Sequence, residues 1–164
     1  MLLPLHLHLK LLLLVGIANG APLFGYTLLR QRFGQPLDGG RNFLDGRPLL
    51  GPSKTIRGVL LSVLVTLAAA VLIGLDGTTG VLIGLFAMLG DVFSSFTKRR
   101  LGLPSSSRAL GLDQIPESLF PLLVVKWQYD LDSSEIGLMV AAFVLLELVV
   151  SRVLFRFRLR DQPY

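Results

Sequence analysis

GDVFSSFTKRRLGLPSSSRALGLDQIPE, residues 90–117, leaves an apolar segment and, within about three helical turns, takes on an aspartate, two serines and three consecutive cations. It then breaks into a Pro/Ser/Gly loop and closes on a second aspartate, Asp113. Extended backwards as a helix from Val81 to Arg100, the step of about 100° per residue brings Gly80, Gly84, Ala87, Asp91, Ser95 and Lys98 close to one line. That face is small, then acidic, then hydroxylic, then basic. Small residues let a neighbouring helix approach closely. A carboxylate near a cation, at a membrane boundary where polarity is costly, suits a divalent metal and the phosphates it bridges. Asp113, in the following loop, is placed to complete a metal pair with Asp91.

The rest of the chain says that the boundary is a membrane. Of 164 residues, 52% are hydrophobic and only 16% charged, with a mean hydropathy of +0.65, against about 25% charged in soluble domains. Ile56 to Leu75 supplies 20 residues with almost no polarity, enough at about 1.5 Å per residue to cross a core of about 30 Å. Four further spans are expected at 5–29, 81–100, 115–127 and 136–155. The span at 5–29 is broken by Asn19, Gly20 and Pro22, and that at 115–127 by Pro121. Asn19 and the carbonyl freed by Pro22 mark the first span as lining a polar cavity, or as holding an interhelical hydrogen bond. A signal peptide is the rival reading of this segment, disfavoured because its apolar character continues through Leu23 to Leu29. The expectation is an all-α integral membrane protein, a single polytopic domain over 1–164 with about five transmembrane helices, some short or Pro-broken.

Cations give the orientation. Six lie between Arg30 and Arg57, four between Lys98 and Arg108 and four between Arg152 and Arg160, whereas the opposite ends carry only Lys10 and Lys126. The positive-inside rule then predicts the amino terminus outside, the carboxyl terminus cytoplasmic and a polar cavity facing the cytoplasm, in the cell (inner) membrane. The net charge of +5 sits beside apolar spans, so anionic membrane lipids and nucleotide phosphates fit it better than nucleic acid. With no cysteine, disulfides, thiolate chemistry and sulfur metal ligands are excluded.

Between the first two spans, RQRFGQPLDGGRNFLDGRPLLGPSK (residues 30–54) is too rich in Gly and Pro for a long helix. Its glycines let backbone N–H groups approach phosphate oxygens, with Lys54 and Arg57 as countercharge. A P-loop is rejected, because Pro52 and Ser53 intervene between Gly51 and Lys54 and no strand precedes them. Taken alone, this loop also reads as a positive-inside anchor, and Lys98 to Arg100 as a topogenic cluster.

The run G-D-x-x-x-S-F-x-K-R-R at Gly90, Asp91, Ser95, Phe96 and Lys98 to Arg100, followed by Asp113 and Gln114, resembles the signature region of the CDP-archaeol synthases. These are relatives of the phosphatidate (CDP-diacylglycerol) cytidylyltransferases. The D-G-G-R, F-x-D-G-R and G-x-x-K-T-x-R-G elements at Asp38 to Arg41, Phe43 to Arg47 and Gly51 to Gly58 extend the likeness. The resemblance implies a CTP-dependent cytidylyltransferase that converts a lipid phosphate, archaeal ether type or phosphatidate-like, to a CDP-lipid and pyrophosphate. Such transfers need positioning and charge neutralisation more than a covalent nucleophile. Asp91 and Asp113 are then the Mg²⁺ ligands, with Lys98 as the catalytic cation beside them. Arg99 and Arg100, together with Lys98, hold the triphosphate or the leaving pyrophosphate. Ser95 donates to a phosphate oxygen, Lys54 and Arg57 take the other phosphates, and Asn19 lines the lipid-phosphate entrance. Asp45 and Gln114, inside matched motifs, join the substrate-binding set.

A small polytopic carrier or binding protein for anionic substrates is the alternative, although no inverted repeat is visible. Glu117, behind Pro116, has two readings, a helix-dipole partner or a contributor to the metal site. Glu147, inside the last span, reads as paired with Ser151 or Arg152 rather than catalytic. Lys126, Trp127 and Tyr129 read as an interfacial boundary. Glycine-lined helix faces leave a homodimer open.

Overall fold

The computed structural model describes residues 5–29, 33–105, 107 and 109–156; Arg30, Arg32, Arg108, Arg158 and Arg160, counted above for orientation, lie outside them. Its regular elements are five helices, α1 (Leu5–Leu29), α2 (Ile56–Leu72), α3 (Gly77–Arg100), α4 (Gln114–Val124) and α5 (Ser133–Arg156). Segments Leu5–Gly25, Gly77–Arg100 and Ser133–Arg152 are long and apolar enough to cross a membrane. α2, with 17 residues, reaches about 25 Å, and α4, with 11, only about 16 Å. The stretch expected at 115–127 is therefore a half-length helix continued by turns. Even so it covers the distance: Ser94 near one end of α3 donates to Leu112 O at 2.7 Å, and Tyr129 meets Thr79 at the other end at 2.7 Å.

Small residues set the packing, and α3 lies at the centre of it. A Cβ on Gly80 would strike the backbone of Thr66 and Leu67, and one on Gly84 that of Ser62 and Val63. The small half of the predicted face is thus spent inside the bundle, against α2, and offers no dimer surface. On an adjacent face of α3, Gly90 lies against the Pro116 carbonyl and the Glu117 amide of α4.

Pro22 has a partner across the bundle. Proline lacks the N–H that would reach Ala18 O one turn earlier, and the buried Ser62 hydroxyl donates to that carbonyl at 2.8 Å, with Gly84 O at 3.3 Å. One hydroxyl thus ties α1, α2 and α3 together. Ser62→Ala is expected to cost about 1 kcal/mol, seen as a lower thermal midpoint in detergent with activity per folded molecule preserved.

The bundle has two distinct ends. At one, His8 Nε2 meets Glu135 Oε1 at 3.3 Å, Gln128 donates to Thr79 at 2.8 Å, and Trp127 stands exposed with Lys126 5.8 Å from its ring. At the other lie the carboxyl ends of α1, α3 and α5, the amino ends of α2 and α4, and the polar loops over 33–55 and 101–113.

Candidate active site

Two polar cavities open at the loop end. The smaller, about 300 Å³, is lined by Lys54, Asp91, Ser95, Lys98, Arg99, Asp113 and Gln114, with Ser53, Ser107, Glu117, Glu147 and Ser151. The larger, about 760 Å³, is lined by Asn19, Pro22, Leu23, Arg57, Val59 and Met88 among others. They share Ser53, Lys54, Asp91 and Glu117. Asp91 and Asp113 therefore face one cavity from two elements, α3 and the loop leading into α4.

Each carboxylate has a cation of its own. Lys54 Nζ lies 2.5 Å from Asp91 Oδ1, and Lys98 Nζ lies 2.7 Å from Asp113 Oδ1 while also donating to Ser107 O at 2.8 Å. Asp113 Oδ2 in addition accepts from Ala109 N–H at 3.1 Å, so this side chain folds its loop as well as facing the cavity. The acidic group beside Asp91 is Glu117, which lines both cavities with it and is within electrostatic reach of Asp91, Glu147 and Lys54. Gly90 makes this possible, because its missing side chain lets α4 approach until Glu117 stands beside Asp91. Glu117 lies in the first turn of α4, where the helix dipole favours a carboxylate, and it also lines both cavities, so the two readings of this residue are compatible.

Several donors and acceptors of the site are buried without a hydrogen-bond partner in the protein: Arg99 Nε, Ser107 Oγ and Asn19 Oδ1. Arg99 and Ser107 line the smaller cavity and Asn19 the larger. Buried polar groups are ordinarily satisfied; Arg99 Nε–H and Ser107 Oγ–H, as donors, fit an oxygen-rich substrate, whereas Asn19 Oδ1 can only accept. Asn19 Nδ2 donates to Val15 O at 3.1 Å and Glu117 O at 3.5 Å. Gln114 Oε1 accepts from Gly111 N–H at 2.7 Å, shaping the turn before α4.

Two of the expected substrate residues stand elsewhere. Arg100 and Asp45 line neither polar cavity; they pair with each other at 2.7 Å, and Arg100 also donates to Pro48 O at 2.6 Å. Arg47 returns the grip, donating to Arg100 O at 2.7 Å and Arg99 O at 3.4 Å. An arginine on the last carbonyls of a helix complements its dipole. The motif containing Asp45 thus fastens the first loop to the end of α3.

Asp38 organises the same loop from within. Its Oδ1 accepts from Gly40 N–H at 2.9 Å, and Oδ2 from Leu50 and Gly51 N–H at 2.9 and 3.1 Å. Burial pushes its carboxyl up, but the Gly40, Gly51 and Leu50 amides outweigh this and hold it below the ordinary carboxylate range. A lowered folded pKa contributes stability that is complete above the unfolded value, about 3.9, and lost as pH falls through the folded one. Thermal midpoints measured from pH 6 down to acid should therefore fall more steeply for the wild type than for Asp38→Asn, which starts lower because an amide cannot accept on both sides.

Among the described residues no group of three or more His, Cys, Asp or Glu side chains forms a metal cage. Mg²⁺ does not need one, since it keeps waters and takes one or two carboxylates plus substrate phosphates. Asp91 beside Glu117 is a donor set of that kind.

A helical membrane bundle with juxtaposed carboxylates, buried cations and unsatisfied donors in a cavity at one end is built as an intramembrane enzyme for phosphorylated substrates. Comparison with known proteins agrees. The family model for CarS-like CDP-archaeol synthases matches residues 9–164. The CDP-archaeol synthase of Sulfurisphaera tokodaii is 36% identical over 157 residues, 90% of this chain and 89% of that protein. That of Hyperthermus butylicus is 43% identical over 105 residues, 60% of this chain and 59% of that protein. A solved structure of an intramembrane enzyme for archaeal membrane lipid biosynthesis superposes with a TM-score of 0.75 at 34% identity, covering 86% of this chain and 90% of that one. The chain belongs to the CDP-archaeol synthase family.

Proposed function

We propose that this chain transfers CMP from CTP to an archaeal-type ether lipid phosphate, releasing pyrophosphate. A lipid-phosphate oxygen attacks the α-phosphorus and forms the new P–O bond. The bond from that phosphorus to the oxygen bridging to the β-phosphate breaks, and pyrophosphate leaves with the electron pair. The observation carrying this reading is that the two polar cavities meet across Lys54, Asp91 and Glu117.

The smaller cavity suits the triphosphate, where Lys98 and Arg99 neutralise charge and Ser95 and Ser107 donate hydrogen bonds. The larger cavity, with apolar as well as polar walls, suits the lipid phosphate: Asn19 stands at its apolar side, and Arg57 and Lys54 supply countercharge. Asp91 with Glu117 on one wall, and Asp113 across the cavity, are the residues that hold Mg²⁺. When bound, the ion neutralises phosphate charge during transfer. Gln114 acts by shaping the turn that presents Asp113, and Asp45 and Arg100 by fixing the loop that carries Lys54.

The spans form one polytopic domain in the cell membrane, its amino terminus outside and its site facing the cytoplasm, where nucleoside triphosphates are found. The cations of the loop end support this side. The deciding experiment is purified protein in detergent with CTP, Mg²⁺ and a short-chain lipid phosphate. Pyrophosphate release matching CDP-lipid formation mole for mole is expected; binding without turnover across a panel of lipid phosphates returns the chain to the carrier reading.

A further inference from the structure

The hairpin over residues 42–48 presents apolar surface that no helix covers. Asn42 and Pro48 form an antiparallel bridge, Phe43 N–H donates to Arg47 O at 2.8 Å, and Gly46 N–H donates to Phe43 O at 3.0 Å. Gly46 takes φ +74°, a conformation glycine adopts without strain. The turn is therefore fixed, yet Leu44 at its tip is 96% exposed.

Its flank is seated on α3. Phe43 meets Phe96 edge to face, with ring centroids 5.4 Å apart, and the Arg100 guanidinium lies 4.7 and 5.0 Å from the two rings. Phe96 in turn lines an apolar groove between α3 and α4, bordered by Leu49 and Leu50 of the same loop. It continues the exposed stripe Leu85, Leu89 and Phe93, spaced at four residues on a membrane-crossing helix. That stripe faces lipid, so the hairpin sits on the lipid side of α3. It is level with the last turn, where Lys98 to Arg100 end the span and mark the headgroup region.

We propose that the 42–48 hairpin is an interfacial anchor, with Leu44 inserted at the boundary between headgroups and chains of the leaflet on the active-site side. The occupant of its apolar tip is the bilayer itself. Continuity with the lipid-facing stripe argues for this, and so does charge: Arg41 is exposed beside the tip, while the one acidic side chain of the hairpin, Asp45, is neutralised by Arg100. Through Arg47 and Arg100 the anchor ties the loop carrying Lys54 to the membrane plane.

The chain contains no cysteine, so Leu44→Cys in the full-length protein takes a single nitroxide label. Reconstituted in vesicles of phosphatidylglycerol and phosphatidylcholine, the label is expected to be relaxed by oxygen far more than by an aqueous nickel chelate, at a depth of about 5–10 Å below the phosphates. Dominant relaxation by the chelate places the tip in water, and low accessibility to both places it against protein, such as a second copy; either result overturns the proposal. As a second variant, Leu44→Trp in a Trp127→Phe background should emit at blue-shifted wavelengths and be quenched by lipids brominated near the headgroup. Iodide quenching without lipid quenching counts against the anchor.

Discussion

Asp91→Asn is expected to lower CDP-lipid formation by about 10³-fold with the protein still folded. Asparagine keeps the volume, and its amide can donate to Glu117, so the contact between α3 and α4 survives. What disappears is the charge that pairs with Lys54 at 2.5 Å and that, with Glu117, supplies the oxygen ligands for a hard cation. The loss should appear in kcat rather than in nucleotide KM, because Lys98 and Arg99 remain to hold the triphosphate. Glu117→Gln should lose activity in parallel, with weaker binding of Mn²⁺ followed by its electron spin resonance. Asp113→Asn should also abolish turnover, but it additionally removes the charge facing Lys98 and leaves one acceptor oxygen where two serve Lys98 and Ala109 N–H, so protease sensitivity within 101–113 should rise in that variant alone. Turnover by Asp91→Asn near the wild-type rate removes Asp91 from the metal assignment.

Much of this site was legible because helix phase is a local property. The line from Gly80 to Lys98 could be drawn from the 3.6-residue repeat, and the structure runs its small half along α2 and its polar half along the cavity. Pro22 likewise announced a carbonyl in need of a donor. Phase does not say which element a face meets, however. Glu117 opens a helix, and nothing in its neighbours in sequence tells that α4 comes close enough to α3 at Gly90 to place it on Asp91. Glu147 reads from the sequence as paired with Ser151 or Arg152, and it lines the cavity together with Ser151 one turn later; its presence inside a span was the signal that it faces the protein interior. Asp45 and Arg100 fail in the other direction. Motif membership implied substrate contact, and the residues hold each other instead, because arginine serves a helix end, an aromatic pair and a carboxylate as readily as a phosphate.

The close approach at Gly90 gives the second large effect. Gly90→Ala should lower activity by about 10²-fold and stability by about 1–3 kcal/mol, although alanine is the better helix former by about 1 kcal/mol. The reason is steric. The added carbon would meet the Pro116 carbonyl and the Glu117 amide, backbone atoms that cannot swing aside as a side-chain tip does. α4 must shift, carrying Glu117 off Asp91 and straining the Ser94 bond to Leu112 O. Gly16→Ala is the matched control, since nothing lies within 4 Å of a Cβ built there; it should gain the helix preference and keep full activity. The two substitutions make the same chemical change in the same kind of helix, so only the backbone facing Gly90 separates them. Equal activities and equal melting temperatures in the pair would mean that α4 is free to move without disturbing the carboxylates, and the Asp91 and Glu117 contact could not then be what sets the site.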